Sequence, residues 1–528
     1  MKKRLLTVLL AVCLVLALGT VSAMADDTLP APVGDVITLE DDVTMQASAI
    51  QSALETLYTE TDAIVIDLAQ HTLTITQPDD TDGTGIRITQ GKSLTIRNGS
   101  IFANEQDDGS HSVLIPLSDT SLIMENVNMT TNGTALYPAG DASNVEVRDC
   151  NITAGVYVVG TNAKVADGEL IYSCNVNISL VDSKLSAVGY ENNDGQTCTV
   201  MINVPGTLNI DNCTIRGGTQ AVLIRGGDAT ITDSNISIDN TYTGTDYNQY
   251  KGQNWGSGNS VPIGAIIVGN RGNTGSAYHY PASCDISGTT VSASDSETSL
   301  YVYQMDNTDD NREVTLKIDS GNFGKVEITD ANDEKVASIG ITGGTYDSDV
   351  SAYFPDGAAL TQDSSGKVVE DNTNPIVARV DGIGYTNLQD AINAASESAT
   401  VTLEANITNE NVNNDPLQVN DDNEATLLIV RKNITIVGNG HTIALTVPSG
   451  SATCQAISVG DEISKPENAD EVTLTLSGVD MKIHGNGSGS GGDGMDVWSN
   501  ATLNIVDGSN VNFYEVRSAF TVQGGSRA

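Results

Sequence analysis

Aromatic and basic residues are scarce in this chain. Phe, Trp and Tyr make up 4% of its 528 residues, and 25 Lys and Arg stand against 68 Asp and Glu, giving a formal net charge of −43 at pH 7. Binding to nucleic acid or to an anionic membrane requires basic patches, so this balance disfavours both partners. Val, Ile, Leu and Thr are plentiful, which favours a core of stacked aliphatic side chains.

Long apolar runs are missing after residue 25, so we expect no membrane insertion of the mature chain. Residues 1–25 carry Lys2, Lys3 and Arg4, then a short apolar run and Ala-Met-Ala before Asp26. This is the pattern of a secretory signal peptide with its cleavage site. We expect a secreted protein, or one attached to the cell surface. Removal of the three basic residues of the signal peptide changes the net charge from −43 to −46.

A short pattern recurs between residues 94 and 346. Each copy has eight positions. The first three are an apolar residue, any residue and an apolar residue. The next five are a polar residue, then Asn or Asp, then a small residue, a polar residue and an apolar residue. The copies read LTIRNGSI from Leu94, LIMENVNM from Leu122, VEVRDCNI from Val145, ISLVDSKL from Ile178, LNIDNCTI from Leu208, ATITDSNI from Ala229, CDISGTTV from Cys284, LKIDSGNF from Leu316 and IGITGGTY from Ile339. A period of about 20 to 35 residues indicates a solenoid. The wider gap between Ala229 and Cys284 has room for two turns.

Each copy predicts a strand, a tight polar corner and a second strand, because alternation with period two continues on both sides of the corner. Strands this short bury a face only if the next copy stacks on them, so the unit is one coil of an all-β parallel β-helix. The fifth position holds Asn or Asp, which tolerate the left-handed backbone conformation that a corner requires. These residues are Asn98, Asn126, Asp149, Asp182, Asn212 and Asp233.

Two solenoid starts are expected, each closed by a short helix. Ile50, Leu54 and Leu57 form an apolar stripe in the first, and a capping box from Thr386 to Gln389 opens the second. The polar stretch Asp363–Pro375 separates them. The predicted organisation is a signal peptide at 1–25, a first β-helix domain at 26–372 with a capping helix near 44–58, and a second at 373–528 with a capping helix near 386–397. Since residue 528 follows a strand-like stretch directly, we expect a C-terminally truncated second domain.

The coils resemble those of the pectate-lyase-like right-handed parallel β-helix superfamily. The stretch VARVDGIGYTNLQDAINAASESATVTL is similar to the module that precedes such helices in bacterial surface proteins, and INVPGTLNIDNCTIRGG, AIIVGNRG and AYHYP are similar to adhesin-like members. The resemblance implies a right-handed helix and leaves activity open, because the superfamily includes lyases, hydrolases and noncatalytic adhesins. The Gly-His-Gly, Asn-Thr-Asp and Arg-Ile-Lys elements of polygalacturonases and the Trp-Ile-Asp-His segment of pectate lyases are absent, so we expect no catalytic residues.

Two pairs of residues nevertheless suggest chemistry. His71 and His441 fall in register when Ile64 is aligned with Ile434, and corner geometry explains their recurrence. Asp149 and Asp182 occupy one position in successive coils, about 5 Å apart, close to the carboxyl separation of a retaining glycosidase. Any file of corner carboxylates has this spacing, so we interpret both pairs as architecture.

The candidate ligand site lies in a segment near 237–283 that interrupts the repeat. Loops that project from a solenoid usually carry binding, and Tyr and Trp rings suit stacking on sugars. Two arginines nearby would add hydrogen bonds to a carboxylate. The candidates are Tyr247, Tyr250, Trp255, Tyr278, Tyr280, Arg225 and Arg271. The competing interpretation is that the aromatic rings only pack the insertion on the helix and the arginines neutralise nearby Asp.

Cysteine and glycine-rich motifs complete the sequence predictions. Cys174 and Cys198 begin similar stretches, so stacking in adjacent coils would bring them within disulfide reach in an oxidising exterior. Residues Gly491–Ser499 match one copy of a nine-residue calcium-binding turn, and Asp79–Gly83 gathers oxygen ligands. The turn shares its ion with a neighbouring copy, so one copy is not enough, and we expect no metal site and no cofactor.

The sequence therefore predicts a noncatalytic, adhesin-like β-helix protein that binds a polysaccharide or glycoprotein through its lateral face and loops. One alternative is a polysaccharide lyase or glycoside hydrolase with an acidic site near Asp149, Asp182 or Arg225. The other is a structural spacer at the cell surface.

Overall fold

Strands of successive coils pair in parallel and build a parallel β-helix. The computed structural model describes residues 28–76, 84–104, 112–161, 164–166, 169–172, 175–187, 198–239, 263–269, 280–293, 297–304, 313–330, 338–413, 418–419, 425–447, 454–460, 472–485, 492–498 and 501–522. The predicted signal peptide lies outside these residues. Among them, no helix is long and apolar enough to cross a bilayer.

The first solenoid has three faces. A 20-stranded sheet bends at the polar corner into a first and a second face, and a nine-stranded sheet forms the third. First-face strands are Val36–Thr38, Ala63–Asp67, Ser143–Arg148, Val176–Val181, Gly206–Asp211, Gly227–Thr232, Ala282–Ser287, Val314–Ile318 and Ser338–Ile341. Second-face strands are Val43–Gln46, Thr72–Thr76, Asn151–Ala154, Lys184–Ala187, Thr214–Gly217, Asn235–Ile238, Thr289–Ser292, Gly321–Phe323 and Thr345–Tyr346. Ser93–Asn104 and Ser121–Thr131 run through the corner and serve both faces.

The middle strands of the third face are buried on both sides, which is why they are nearly continuous apolar runs, whereas Arg87 on its first strand and Lys325 on its last are exposed. Its strands are Thr84–Ile88, Ser112–Pro116, Thr134–Leu136, Val159–Gly160, Cys198–Ile202, Gln220–Ile224, Gly264–Gly269, Thr298–Gln304 and Lys325–Asp330. Antiparallel hairpins form outside the three faces, from Lys164–Ala166 with Glu169–Tyr172 and from Leu360–Gln362 with Val368–Glu370.

The predicted alignment of the repeat is confirmed by the strand register. Leu94 pairs with Leu122, and the same file continues without a shift to Ile339. Its further members are Val145, Ile178, Leu208, Ala229, Cys284 and Leu316. Ala229 pairs directly with Cys284, so the expected second turn in that gap is wrong and one coil spans it.

The corners also form as the sequence predicts. All six Asn and Asp residues at the fifth position have a positive φ between 47° and 61°. The small residue that follows closes the corner: the Ser183 hydroxyl donates to the carbonyl of Val181 at 2.7 Å and accepts from the backbone N–H of Cys150 at 3.1 Å. Ser234 does the same for Thr232 and Cys213. A polar corner is therefore also a tie between neighbouring coils.

The second solenoid starts after residue 376 and repeats this plan. Its first-face strands are Ala399–Leu403, Ile434–Val437, Val472–Ser477 and Ala501–Val506, with the hairpin Ala378–Val380 and Ile383–Tyr385 at their edge. Its second-face strands are Thr442–Thr446, Asp480–His484 and Asn510–Tyr514. Its third-face strands are Gln418–Val419, Ala425–Val430, Cys454–Val459, Asp493–Val497 and Phe520–Val522.

Buried aliphatic side chains form one large cluster in each solenoid. The first contains members from Ile37 to Val368 and the second from Val377 to Leu503, and the predicted boundary near 373 falls between them. The hairpin ending at Glu370 occupies part of the stretch that composition identified as a linker. Val368 of that hairpin belongs to the first cluster, so this part of the stretch is packed structure.

Both predicted helices form. Helix α1 (Ala47–Leu57) buries Ile50 and Leu54, and Gln51 accepts the backbone N–H of Arg87 at 2.6 Å on the first third-face strand. The helix thus satisfies a donor at the open edge of that sheet, as a capping element should.

Helix α2 (Leu388–Ala394) is capped one residue later than the sequence predicts. The Asn387 side chain accepts the backbone N–H of Asp390 at 2.8 Å, so the cap pair is Asn387 and Asp390 rather than Thr386 and Gln389. Gln389 is buried and instead exchanges two hydrogen bonds with the backbone of Ile429, at 2.7 and 2.9 Å. It ties the helix to the third face.

Candidate functional site

Most of the predicted ligand-binding residues lie outside the described residues. These are Tyr247, Tyr250, Trp255, Arg271 and Tyr278. The segment near 237–283 is also not one continuous insertion, because Gly264–Gly269 forms a regular third-face strand between two others. Continuous apolar strands such as this one lack the alternation on which the prediction of an insertion relied.

Arg225 is described and lies inside the protein. It follows the third-face strand Gln220–Ile224, is 1% exposed, and donates its backbone N–H to Ile202 at 2.8 Å. Its Nε donates to the hydroxyl of Tyr303 at 3.2 Å. A buried guanidinium needs such partners, since an unpaired one is costly. The predicted role of Arg225 in ligand binding stays a prediction.

Tyr303 reaches Arg225 across an intervening coil. Gly269 pairs with Tyr303, and a Cβ added to Gly269 would lie 2.4 Å from the Tyr303 ring. The absence of a side chain at residue 269 therefore lets the tyrosine ring lie over this strand. Tyr280 is half-buried, and its Cβ lies 3.2 Å from where a Cβ of Gly226, the residue after Arg225, would be. The structure thus brings Arg225 and Tyr303 together, and the sequence offered no indication of Tyr303.

Apolar side chains cover the outer side of the third face around this group. Met201, Leu223, Ile267 and Tyr301 follow one another in register along four coils, and all are buried. They form a separate cluster with Cys198 and Tyr303, against which Tyr157 packs. Along its middle coils, from Ser112 to Tyr303, the third face is therefore an interior layer of the first solenoid, which leaves the first and second faces there as its open lateral surfaces.

The predicted disulfide joins one described residue to one outside the described part of the chain. Cys198 has a free, buried thiol, and Cys174 lies outside the described residues. The two stretches that the prediction compares lie on different faces: Cys198 begins a third-face strand that pairs with Gln220–Ile224, whereas the stretch after Cys174 forms the first-face strand Val176–Val181. Burial raises the pKa of the Cys198 thiol to about 12.

The repeated histidines occupy equivalent turns. The backbone N–H of His71 donates to Leu68 at 2.7 Å, and that of His441 donates to Gly438 at 2.8 Å. Both follow two residues with positive φ. His71 also lies 3.7 Å from a carboxylate oxygen of Asp42. Their common backbone role accounts for the repetition that the sequence shows.

The corner carboxylates likewise serve the coil stack. Asp149 and Asp182 have φ values of 53° and 50°, and their backbone N–H groups donate to Val181 and Asp211 of the next coil at 3.3 and 3.1 Å. The Asp182 carboxylate accepts a hydrogen bond from the Asn212 side chain at 2.5 Å. An exposed file of Asx residues that bond along the stack is a sufficient reason for both carboxylates.

A pair of substitutions separates this structural role from a chemical one. We expect Asp182→Val to lower the unfolding free energy by about 1 to 2 kcal/mol or more, because a β-branched residue is strained at positive φ. Asp182→Asn should leave stability and any glycan binding or cleavage unchanged, since Asn212 occupies the same position. Urea denaturation and assays of both variants check this. Loss of an activity in a stable Asp182→Asn variant would instead assign chemistry to the carboxylate.

The glycine-rich motif near the C-terminal part of the chain has a different explanation from calcium. Asp493 is 6% exposed and accepts from Nε of Arg517 at 3.1 Å, and Asp496 is 5% exposed on the same strand. In the described residues, no group of three or more His, Cys, Asp or Glu side chains is arranged to hold a metal ion. Residues Asp79–Gly83, the other oxygen-rich stretch, lie outside them.

An open groove of about 590 Å³ lies between the last coil of the first solenoid and the hairpin that follows. Its carboxylates hold their own turns. Asp349 accepts the backbone N–H of Ser351 at 2.9 Å, and Asp363 accepts the Ser365 hydroxyl at 2.6 Å and the backbone N–H groups of Ser365 and Lys367 at 2.8 and 3.1 Å. These hydrogen bonds lower the pKa of both carboxyl groups.

Exposed aromatic rings do occur, at positions that the sequence prediction missed. Phe102 on the second face of the first solenoid is 36% exposed, and Tyr514 on the second face of the second solenoid is 43% exposed. Tyr514 stacks on His484 of the preceding coil with ring centroids 4.6 Å apart. The alternation of the strands gives Phe102 and Tyr514 the same outward positions as their polar neighbours, so the repeat pattern does not distinguish them.

Taken together, these features define the class of the protein as a parallel β-solenoid with two open lateral faces and an interior third face. The chain matches no protein-family model and no curated protein.

Proposed function

We propose that the protein is a secreted or cell-surface, adhesin-like member of the pectate-lyase-like β-helix superfamily that binds a polysaccharide or glycoprotein without cleaving it. The observation that supports this most is the second face of the first solenoid. Its outward side chains from Thr72 to Thr345 are mostly hydroxyl and amide groups at the surface, interrupted by Phe102, Lys184 and Arg216, an arrangement suited to an extended ligand. Asp149 and Asp182 suggested catalysis, but both are corner residues with positive φ whose backbone N–H groups bond to the next coil, and this structural role explains why they are there.

Binding along a regular surface differs physically from catalysis at one point. Each coil repeats the same few polar groups, so affinity would accumulate over several weak contacts with successive sugar units. Hydroxyl and amide groups both donate and accept hydrogen bonds, which matches the hydroxyl groups of a glycan. Such a surface holds a chain without distorting any single bond.

The test is a binding panel of soluble polysaccharides and extracellular-matrix glycoproteins, measured with the full chain. We expect saturable binding to at least one glycan, with no unsaturated products and no new reducing ends when uronate polymers are incubated with the protein. Accumulation of either product would favour the lyase or hydrolase alternative. Absence of binding to every glycan and glycoprotein would leave the spacer alternative.

A second measurement tests the predicted loop site separately. A variant with Tyr250→Ala and Trp255→Ala should bind more weakly than the wild type if the loop contributes. An identical binding profile would remove these residues from the site and leave the lateral face.

A further inference from the structure

Acidic residues are distributed very unequally between the two open faces. The chain contains 68 Asp and Glu, yet the second-face strands from Thr72–Thr76 to Thr345–Tyr346 contain none, including the second halves of the two strands that cross the corner. Their charged residues are Lys184 and Arg216, the latter paired with Asp239 beyond the strand. First-face strands carry six carboxylates, at Asp67, Glu125, Glu146, Asp211, Asp228 and Asp285.

The two faces also differ in how their outward side chains are used. On the first face they bond to one another: Asn177 donates to Asn144 at 2.9 Å and accepts from Thr207 at 2.9 Å, and Ser283 donates to Asp228 at 2.6 Å. Among the described residues, none of the following second-face side chains hydrogen-bonds to another protein group. They are Asn128, Thr130, Asn151, Thr153, Ser186, Thr214, Asn235, Ser237, Thr290 and Ser292.

The second-face groups form two straight files. One runs through Asn128, Asn151, Lys184, Thr214 and Asn235, each paired with the next. The other runs from Thr74 through Phe102, Thr130, Thr153, Ser186, Arg216 and Ser237 to Ser292. Neighbouring strands are about 4.8 Å apart, so the face presents a flat and regular array of hydroxyl and amide groups with one exposed aromatic ring.

We infer that this second face binds an extended, uncharged polysaccharide, with Phe102 as the ring on which one sugar stacks. The inference rests on the proposed function and names its site and ligand class. Free hydroxyl and amide groups take the hydrogen bonds of sugar hydroxyls, and the phenyl ring takes the apolar face of a pyranose.

The charge of the protein selects against acidic polymers. A chain with a net charge of −43 repels a polyanion over long range, and two basic residues on the face do not compensate. A neutral chain feels no such repulsion. Because the face lacks carboxylates, a ligand that covers it desolvates no negative charge there. The carboxylate-free face in an acidic protein therefore fits a neutral ligand.

The experiment compares the same charge change on the two faces. One variant carries Asn128→Asp, Asn151→Asp and Asn235→Asp on the second face; its control carries Asn144→Asp, Asn177→Asp and Asn209→Asp on the first. The substitutions are isosteric and add three carboxylates in each case. Titration uses xylan, mannan and a cello-oligosaccharide as neutral probes and polygalacturonate as the acidic probe.

We expect the second-face variant to bind its neutral probe at least about tenfold more weakly and the first-face control to stay within about twofold of wild type. Phe102→Ala should also weaken binding about tenfold. Ile123→Ala, which removes an outward apolar side chain from the first face, is its control and should have little effect.

Each other outcome overturns the inference in a recognisable way. Neutral-glycan binding that survives both second-face changes would place the site elsewhere while the proposed function stands. Binding to polygalacturonate alone would reject the neutral ligand class. If the wild type binds no glycan, the inference fails, and if it also binds no glycoprotein, the proposed function fails with it.

Discussion

Replacing Gly206 with alanine should lower the unfolding free energy by about 2 to 6 kcal/mol. Gly206 has a φ of 131° and pairs with Val176 of the preceding coil, and a Cβ there would lie 1.9 Å from the Val176 carbonyl oxygen. The backbone strain contributes about 1 to 3 kcal/mol, and displacement of the neighbouring strand about 1 to 3 kcal/mol more. Urea denaturation followed by circular dichroism measures the sum.

Gly91→Ala is the matched control for this prediction. Gly91 also has a positive φ, 73°, but no atom lies within 4 Å of its hypothetical Cβ. The control should therefore show only the backbone term, about 1 to 2 kcal/mol. Equal losses in the two variants would contradict the close approach of the coils at Gly206.

The protein should lose stability steeply in alkaline solution. Burial raises the pKa of Cys150 and Cys213 from 9.0 to about 11, and that of Cys198 to about 12. It also raises the pKa of Tyr385 from 10.0 to about 12, and that of Tyr58 and other buried groups beyond the usual range. The stabilisation from these neutral groups is complete below their unfolded pKa values.

The unfolding free energy falls at alkaline pH because the unfolded chain releases these protons at a lower pH than the folded chain does. Above about pH 9 the unfolded thiols ionise while the folded ones stay protonated, so the unfolding free energy falls with rising pH until the folded pKa is passed. Each group contributes up to about 1.4 kcal/mol per pH unit in its window. The unfolding free energy from urea denaturation should therefore be several kcal/mol lower at about pH 10.5 than at about pH 8.

A Cys213→Ser variant distinguishes buried thiols from general charge repulsion. Serine fills the same corner position at Ser183 and Ser234, so the fold should tolerate it. The variant should lose less stability on the way to alkaline pH than the wild type. If both lose the same amount, repulsion within the acidic chain is responsible and the thiol argument is wrong.

Sequence reasoning placed the coils correctly because their signals are local. Alternation with period two defines the inward residues, and Asn or Asp marks each corner through its tolerance of positive φ, as at Asn98 and Asp233. Since one coil pairs with the next in parallel, aligning the copies amounts to predicting the register from Leu94 to Ile339.

The errors arose where different faces share the same local pattern. The stretch beginning at Cys198 looks like the one after Cys174, yet the two belong to the third and first faces. Likewise Thr386 and Asn387 are both suitable caps, and tertiary contacts decide between them because Gln389 is drawn into the interior to bond with Ile429.

By itself, the sequence determined the solenoid, its register and the positions of its corners, because these depend on rules that act within a few residues and are repeated in every coil. Only the tertiary structure decided which strand faces which surroundings. It buried Arg225 against Tyr303 on an interior third face, and it aligned uncharged side chains from separate coils into one open surface. Such proximity depends on how residues many positions apart are stacked, which no single stretch of sequence specifies.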